Sequence, residues 1–342
     1  MPEADGEEPP LALSAPELLE AVEVLLLGGP PVHTRTEVAK RCGVPMEVAE
    51  QLWHSLGFAH SADDAVVFTE ADVTALTQTM RLIRAGILDE DSQAAMVRTW
   101  GRSFARLADW QTSLLAGIAV ASDDPGARME ELAVDVIPLV DALQSYIWRR
   151  HLLSASSRLL LRPSETEEMQ AVGFVDIVGY TTRSRNLTDA ELVALVEHFE
   201  DVAASTITDH KGRLIKTIGD EVLFVTDTAL AGARIARELV ERHAADEQFP
   251  EVRAGVAYGP VVNRLGDVFG PTVNVASRLT SLSRPGAVLV DHGMREALVQ
   301  GDQDEAEFRL RRVRRTSVKG YSRLEPWRLK RPKGAVRGVD DD

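Results

Sequence analysis

From about residue 13 to residue 152, apolar residues recur at helical spacing; after about residue 171 strand-like runs alternate with helical ones. The first region holds LSAPELLEAVEVLLL, then TRTEVAKRCGVPMEVAEQLWHSLGF, whose two periodic runs flank the short turn CGVP. FTEADVTALTQTMRLIRAGIL, SQAAMVRTWGRSFARLADWQTSLLAGIAV and ELAVDVIPLVDALQSYIWRRHLL continue the pattern and predict long amphipathic helices. Ser14, three residues before Glu17, is placed to cap the first of them. Strand-like runs are nearly absent from this half.

The polar, proline-containing segment RPSETEEMQ at 162–170 reads as a linker, and strands and helices alternate beyond it. QAVGFVDIVGY predicts a strand, TDAELVALVEHFEDVAASTITDH a helix, GRLIKTIGDEVLFVT a hairpin and ALAGARIARELVERH a helix. EVRAGVAYGPVV, TVNVASRLTSLS and AVLVD add strand, helix and strand, before a β-rich end around FRLRRVRRTSVKG and PWRLK. The fold class expected is α+β, a sheet covered by helices, preceded by an all-α domain. The boundaries expected are a tail at 1–12, a helical domain at 13–152, a linker at 153–170, a second domain at 171–330 and a tail at 331–342.

Composition narrows the class. The chain has 342 residues, enough for two cores, with 44% hydrophobic and 27% charged residues. No apolar run approaches the length of a membrane span, and MPEADGEEPP is acidic where a signal peptide would be basic. Cys42 is the only cysteine, which excludes an intrachain disulfide and a cysteine-based zinc site. A cytoplasmic location is expected. A net charge of −15 argues against tight non-specific DNA binding, although it leaves room for a local basic patch.

Chemistry enters with Asp176, a carboxylate inside the apolar run GFVDIVGYT, where desolvation is costly unless something neutralises it. In LIKTIGDEVLFV, Gly219–Asp220 suits a hairpin tip. If the two strands are neighbours, Asp176 and Asp220 converge, as a site for Mg²⁺ requires. A turn role alone would account for Asp220 but not for Asp176. In GDVFGPTVNVASRLTSLSRPG, Asn274 and Arg278 stand four apart on one helix face, where Arg278 can present its fork of donors to a phosphate.

In this order the segments resemble the catalytic domain of the class III nucleotide cyclases, over roughly residues 168–330. The resemblance implies a palm-type, ferredoxin-like sheet and conversion of ATP to 3′,5′-cyclic AMP. It implies that Asp176 and Asp220, with the backbone carbonyl of Ile177, hold two Mg²⁺ or Mn²⁺ ions. Lys216 and Asp267 match the pair that reads adenine, and Asn274 the residue that orients the ribose. Arg278 matches the arginine that offsets charge on the transferring phosphate, and Lys319, in a looser match, a late phosphate contact. The family's sites lie between two catalytic domains, so a head-to-tail homodimer with two sites is implied. IGDEVLF also resembles the signature of diguanylate cyclases, but Ile218 replaces a glycine there, and Lys216, Asn274 and Arg278 fit the class III pattern.

The region around TRTEVAKRCGVPMEVAEQLWHSLGF resembles the helix–turn–helix of MerR-type regulators, with a wing-like stretch ending at Val67–Phe68. As a DNA reader it would use Arg35, Lys40 and Arg41, making the chain a nucleotide-sensing DNA-binding regulator. A reused three-helix packing unit is the plainer expectation, since few basic residues follow the turn. Helical modules of this kind recur in actinobacterial-type cyclases, where they are regulatory; the signal, a small molecule or a pH change through His33, His54, His60 or His151, stays open.

Overall fold

The computed structural model describes residues 15–86, 90–161, 168–301, 307–313, 316–318 and 321–332, and divides into two compact units, Met1–Pro163 and Ser164–Asp342. Ser14, the expected cap, lies outside the described residues, as do the tails apart from residues 331 and 332.

The first unit is helical: α1 (Ala15–Leu27), α2 (Arg35–Cys42), α3 (Met46–Leu56), α4 (Glu70–Arg84), α5 (Glu90–Val120) and α6 (Pro125–Leu161). Thr34 caps α2, its backbone N–H donating to Glu37 Oε2 at 2.8 Å. Gly43 then ends the helix in the left-handed region, φ +63°, turning the chain into α3. Val38, Ala39, Val44, Ala49, Leu52, Leu76 and Val97 form the core of this helix–turn–helix. The wing is real but small: β1 (His33–Thr34) pairs antiparallel with β2 (Val66–Phe68). Helix α6 continues past residue 153 to Leu161, so part of the segment expected to be a linker is helical. SASSRLLL carries no proline or glycine to stop it.

The second unit is built on an eight-stranded sheet. Its elements are β3 (Glu168–Ile177), the short α7 (Tyr180–Arg183), α8 (Asp189–Asp209), β4 (Arg213–Ile218), β5 (Glu221–Thr226), α9 (Ala229–Arg242), β6 (Val252–Arg264), β7 (Asp267–Phe269) and α10 (Pro271–Leu282). Next come β8 (Val288–Val290), α11 (His292–Gly301), β9 (Arg309–Arg312), β10 (Thr316–Val318), β11 (Tyr321–Leu324) and β12 (Trp327–Lys330). Strand β3 thus begins at Glu168, within the segment read as linker. The order is β4-β5-β3-β6-β8-β12-β9, with β7 paired to β6; β10 and β11 form a separate hairpin. This is the α+β fold expected.

Alternation along the strands divides the core in two. Val175, Ile177, Val222, Ala254, Val288 and Leu329 face one side, in a cluster with α8, α9 and α11 residues Phe199, Ile207, Ile235, Leu239 and Met294. Val172, Phe174, Leu223, Val225 and Leu289 face the other, with Ala276 and Leu279 of α10. The α10 contact is close: a Cβ on Gly255 would overlap the Thr280 backbone nitrogen and lie 2.6 Å from the Ala276 carbonyl. Helix α11 was not anticipated. Asp291 starts it, accepting the Met294 N–H at 2.8 Å and the Tyr258 N–H at 3.2 Å.

Candidate active site

Asp176 is the penultimate residue of β3, on the α10 face of the sheet, because its neighbours Val175 and Ile177 both turn into the opposite core. Asp220 occupies the turn between β4 and β5, where Gly219 supplies the positive φ of +63°. The Ile177 N–H donates to the Asp220 carbonyl at 3.0 Å, joining strand end to hairpin tip. With its side chain buried, Ile177 has only its backbone to offer a ligand here.

The register brings two further charges alongside. Glu221 stands opposite Asp176 on one side and Arg253 on the other. Arg253 donates from Nε to Asp176 Oδ2 at 2.7 Å, and its second terminal nitrogen lies 2.6 Å from the same oxygen. Burial raises the Asp176 carboxyl above the usual carboxylate range; Arg253 opposes this, while Asp220 adds to it. Burial, then Asp176 and Asp220, push Glu221 up to about 7. Neither Arg253 nor Glu221 was singled out from the sequence. The available signal was the same as for Asp176: Arg253 is a lone charge in the buried run VRAGVA.

No group of three or more His, Cys, Asp or Glu among the described residues is arranged to enclose a metal ion. Two mutually repelling aspartates beside a backbone turn nevertheless fit a hard divalent cation that completes its shell with water and substrate phosphate.

Lys216 on β4 donates to Asp267 Oδ2 at 2.5 Å, across 51 positions of sequence. Asp267 opens β7, and its other oxygen accepts the Val268 N–H at 2.8 Å, which orients the carboxylate. Asn274 and Arg278 lie on α10, one turn apart. Thr272, Ala276, Leu279 and Thr280 are the buried side of this helix; Asn274 and Arg278 stem from its other side, and Arg278 Nη1 is itself buried. The chain therefore brings Asp176 to Asp220 and Lys216 to Asp267, and sets Asn274 and Arg278 one turn apart on α10. Lys319 lies outside the described residues.

In the first unit, the expected DNA contact Arg35 is corrected. It is 3% exposed, pairs with Glu50 and Asp63, and donates to the Ser61 carbonyl at 2.9 Å. Arg41 pairs with Glu70 at 2.6 Å. The α3 side that would enter a groove carries Glu47, Glu50, Gln51 and His54 and no Lys or Arg, so it would repel phosphate. No helix among the described residues is long and apolar enough to cross a membrane.

The unit that holds this sheet is the catalytic domain of a nucleotide cyclase. Residues 163–331 match the adenylate and guanylate cyclase catalytic domain family, and residues 9–152 the adenylate cyclase regulatory domain family. The chain is 38% identical to an adenylate cyclase of Glutamicibacter nicotianae, over 98% of this chain and 90% of that one. It is 39% identical to an adenylate cyclase of Streptomyces coelicolor, over 97% and 92% respectively. A crystal structure of the adenylyl cyclase CyaB from P. aeruginosa is similar over 50% of this chain and 98% of that one, with 21% identity and a TM-score of 0.43. The chain belongs to the adenylate cyclase family.

Proposed function

We propose that the protein converts ATP to 3′,5′-cyclic AMP and pyrophosphate in a site shared by two copies of the chain. The observation that carries this is the pairing of Lys216 with Asp267 in the same unit that joins Asp176 to Asp220. Asp176 and Asp220, with the Ile177 carbonyl, would hold two Mg²⁺ or Mn²⁺ ions. Such ions, when bound, supply Lewis acidity for attack of the ribose 3′-hydroxyl on the α-phosphate and for release of pyrophosphate.

The protein groups do the rest. Lys216 donates to adenine N1 and Asp267 accepts from the N6 amine; guanine, with a donor at N1 and an acceptor at O6, mismatches both. Asn274 orients the ribose. Arg278 offsets charge that develops on the α-phosphate. Lys319 is assigned to a phosphate oxygen. Arg253 holds Asp176 in place.

Asn274 and Arg278 stem from the side of α10 opposite its buried face, and in this proposal one copy lends them to the aspartates of another. That is a head-to-tail homodimer with two equivalent sites. The helical unit regulates the reaction in response to a small molecule or pH. The test is cyclic AMP formation by the purified chain from ATP, and its GTP counterpart, with Mg²⁺ or Mn²⁺. No product from ATP with either metal would reject the proposal.

A further inference from the structure

Residues 307–333, EFRLRRVRRTSVKGYSRLEPWRLKRPK, carry eleven Lys or Arg against two Glu, in a chain whose net charge is −15. The sheet organises part of this charge. In the pairing of β12 with β9, Arg328 stands opposite Arg311, and Lys330 opposite Arg309. Leu329 and Leu310, between them, pack into the core shared with α9 and α11. Strand alternation therefore sends Arg309, Arg311, Arg328 and Lys330 together to the opposite face. With strands about 4.8 Å apart and alternate residues about 7 Å apart, four cationic positions fill a rectangle of about 5 by 7 Å.

Like charges directly opposite one another destabilise a sheet. Arg312 and Arg331 have carboxylate partners, Glu325 and Glu241. The four cations on the other face have no ion-pair partner among the described residues. Their face is also the face of the aspartates. Ala254 pairs with Val288, Val288 with Leu329 and Leu329 with Leu310, all turned to the opposite core; the adjoining row runs from Asp176 and Arg253 to Lys330 and Arg309. From β3 to β12 is three strand spacings, about 14 Å.

We propose that this face of β9 and β12 is a second anion site, which takes the linked phosphates of an oligophosphate. A short phosphate chain concentrates negative charge on the scale of the rectangle, and arginine forks bind phosphate oxygens in pairs. The source is inorganic polyphosphate or the phosphate tail of a nucleotide. A membrane surface fits less well, because the leucines of these strands point the other way. Single-stranded nucleic acid would want aromatic platforms beside the cations, and Trp327 lies on the core side.

The experiment uses the full chain in EDTA, so that no metal recruits phosphate to Asp176 and Asp220. Calorimetric titration with sodium tripolyphosphate should show one site per chain, weakening on the order of 10-fold or more between 50 and 200 mM salt. Arg311→Glu with Arg328→Glu should weaken binding at least about 10-fold while leaving Mn²⁺-supported turnover at saturating ATP unchanged. Should that pair of charge reversals not fold, Arg309→Gln with Lys330→Gln serves as the second variant. Asp176→Ala should bind tripolyphosphate as the native chain does, whatever the fate of cyclase activity. ATP binding more tightly than tripolyphosphate in EDTA would identify a nucleotide tail as the source; the reverse would identify the inorganic chain. Absence of binding, binding indifferent to both double variants, or binding only to an oligonucleotide or to anionic vesicles would overturn the assignment.

Discussion

The amide of Ile177 donates to the carbonyl of Asp220 at 3.0 Å, and this bond across the end of a strand joins two aspartates 44 positions apart in sequence. The hairpin tip cannot move far without breaking it. Asp220→Asn keeps the shape and the turn but removes a charge. Cyclic AMP formation should fall at least about 100-fold, while thermal stability in EDTA stays level or rises, since carboxylate repulsion is relieved. Activity within a few-fold of the native chain at saturating Mn²⁺ would sink the metal assignment.

Lys216 and Asp267 meet at 2.5 Å, and in the proposed function this pair reads the base. Lys216→Glu with Asp267→Cys replaces the pair by groups suited to guanine. The expected result is a loss of about 100-fold or more in kcat/KM for ATP, with a gain for GTP and little change in unfolding midpoint. An unaltered ATP-to-GTP ratio would mean that the base is read elsewhere.

Asp176 lies on β3 and Arg278 on α10, and the proposed site draws them from different copies, which makes complementation the sharpest test of a shared site. Asp176→Ala and Arg278→Ala should each be inactive alone. Mixed in equal amounts with free exchange, half of the dimers are heterodimers, each with one intact site of two. Activity should recover to roughly a quarter of the native value, read as cyclic AMP against mixing ratio with dimers followed by light scattering. Subunit exchange without recovery would place both residues in one chain's site.

Gly255 lets α10 lie against β6; a Cβ there would overlap the Thr280 backbone. Gly255→Ala should therefore cost about 1–3 kcal/mol in denaturant unfolding. Because α10 carries Asn274 and Arg278, kcat should fall more than KM rises. A variant as stable as the native chain would show that the helix has slack against the sheet.

Much of this was legible in the residues alone. Period 3.6 alone before residue 153, and strands alternating with helices after residue 170, separate a helical region from a sheet-containing one, because burial on one face imposes those spacings. Asp176 stood out as a charge in an apolar strand, and Gly219–Asp220 as a turn between two such strands, since both signals are local. Asn274 and Arg278, one turn apart, needed only helical geometry.

What pairs with what was not local. The order β4-β5-β3-β6 decides that Glu221 and Arg253 flank Asp176, and strand order rests on contacts between segments far apart in the chain. The approach of Lys216 to Asp267 depends on β7 folding back along β6. Arg35 was the first contact expected of a DNA-reading helix–turn–helix, but tertiary packing buries it against Glu50 and Asp63. The two cross-strand cation pairs of β9 and β12 likewise follow from a register that a list of arginines does not contain. Sequence periodicity determined which face of each element is buried; only the folded sheet decided which charges share a face, because that depends on long-range pairing rather than spacing.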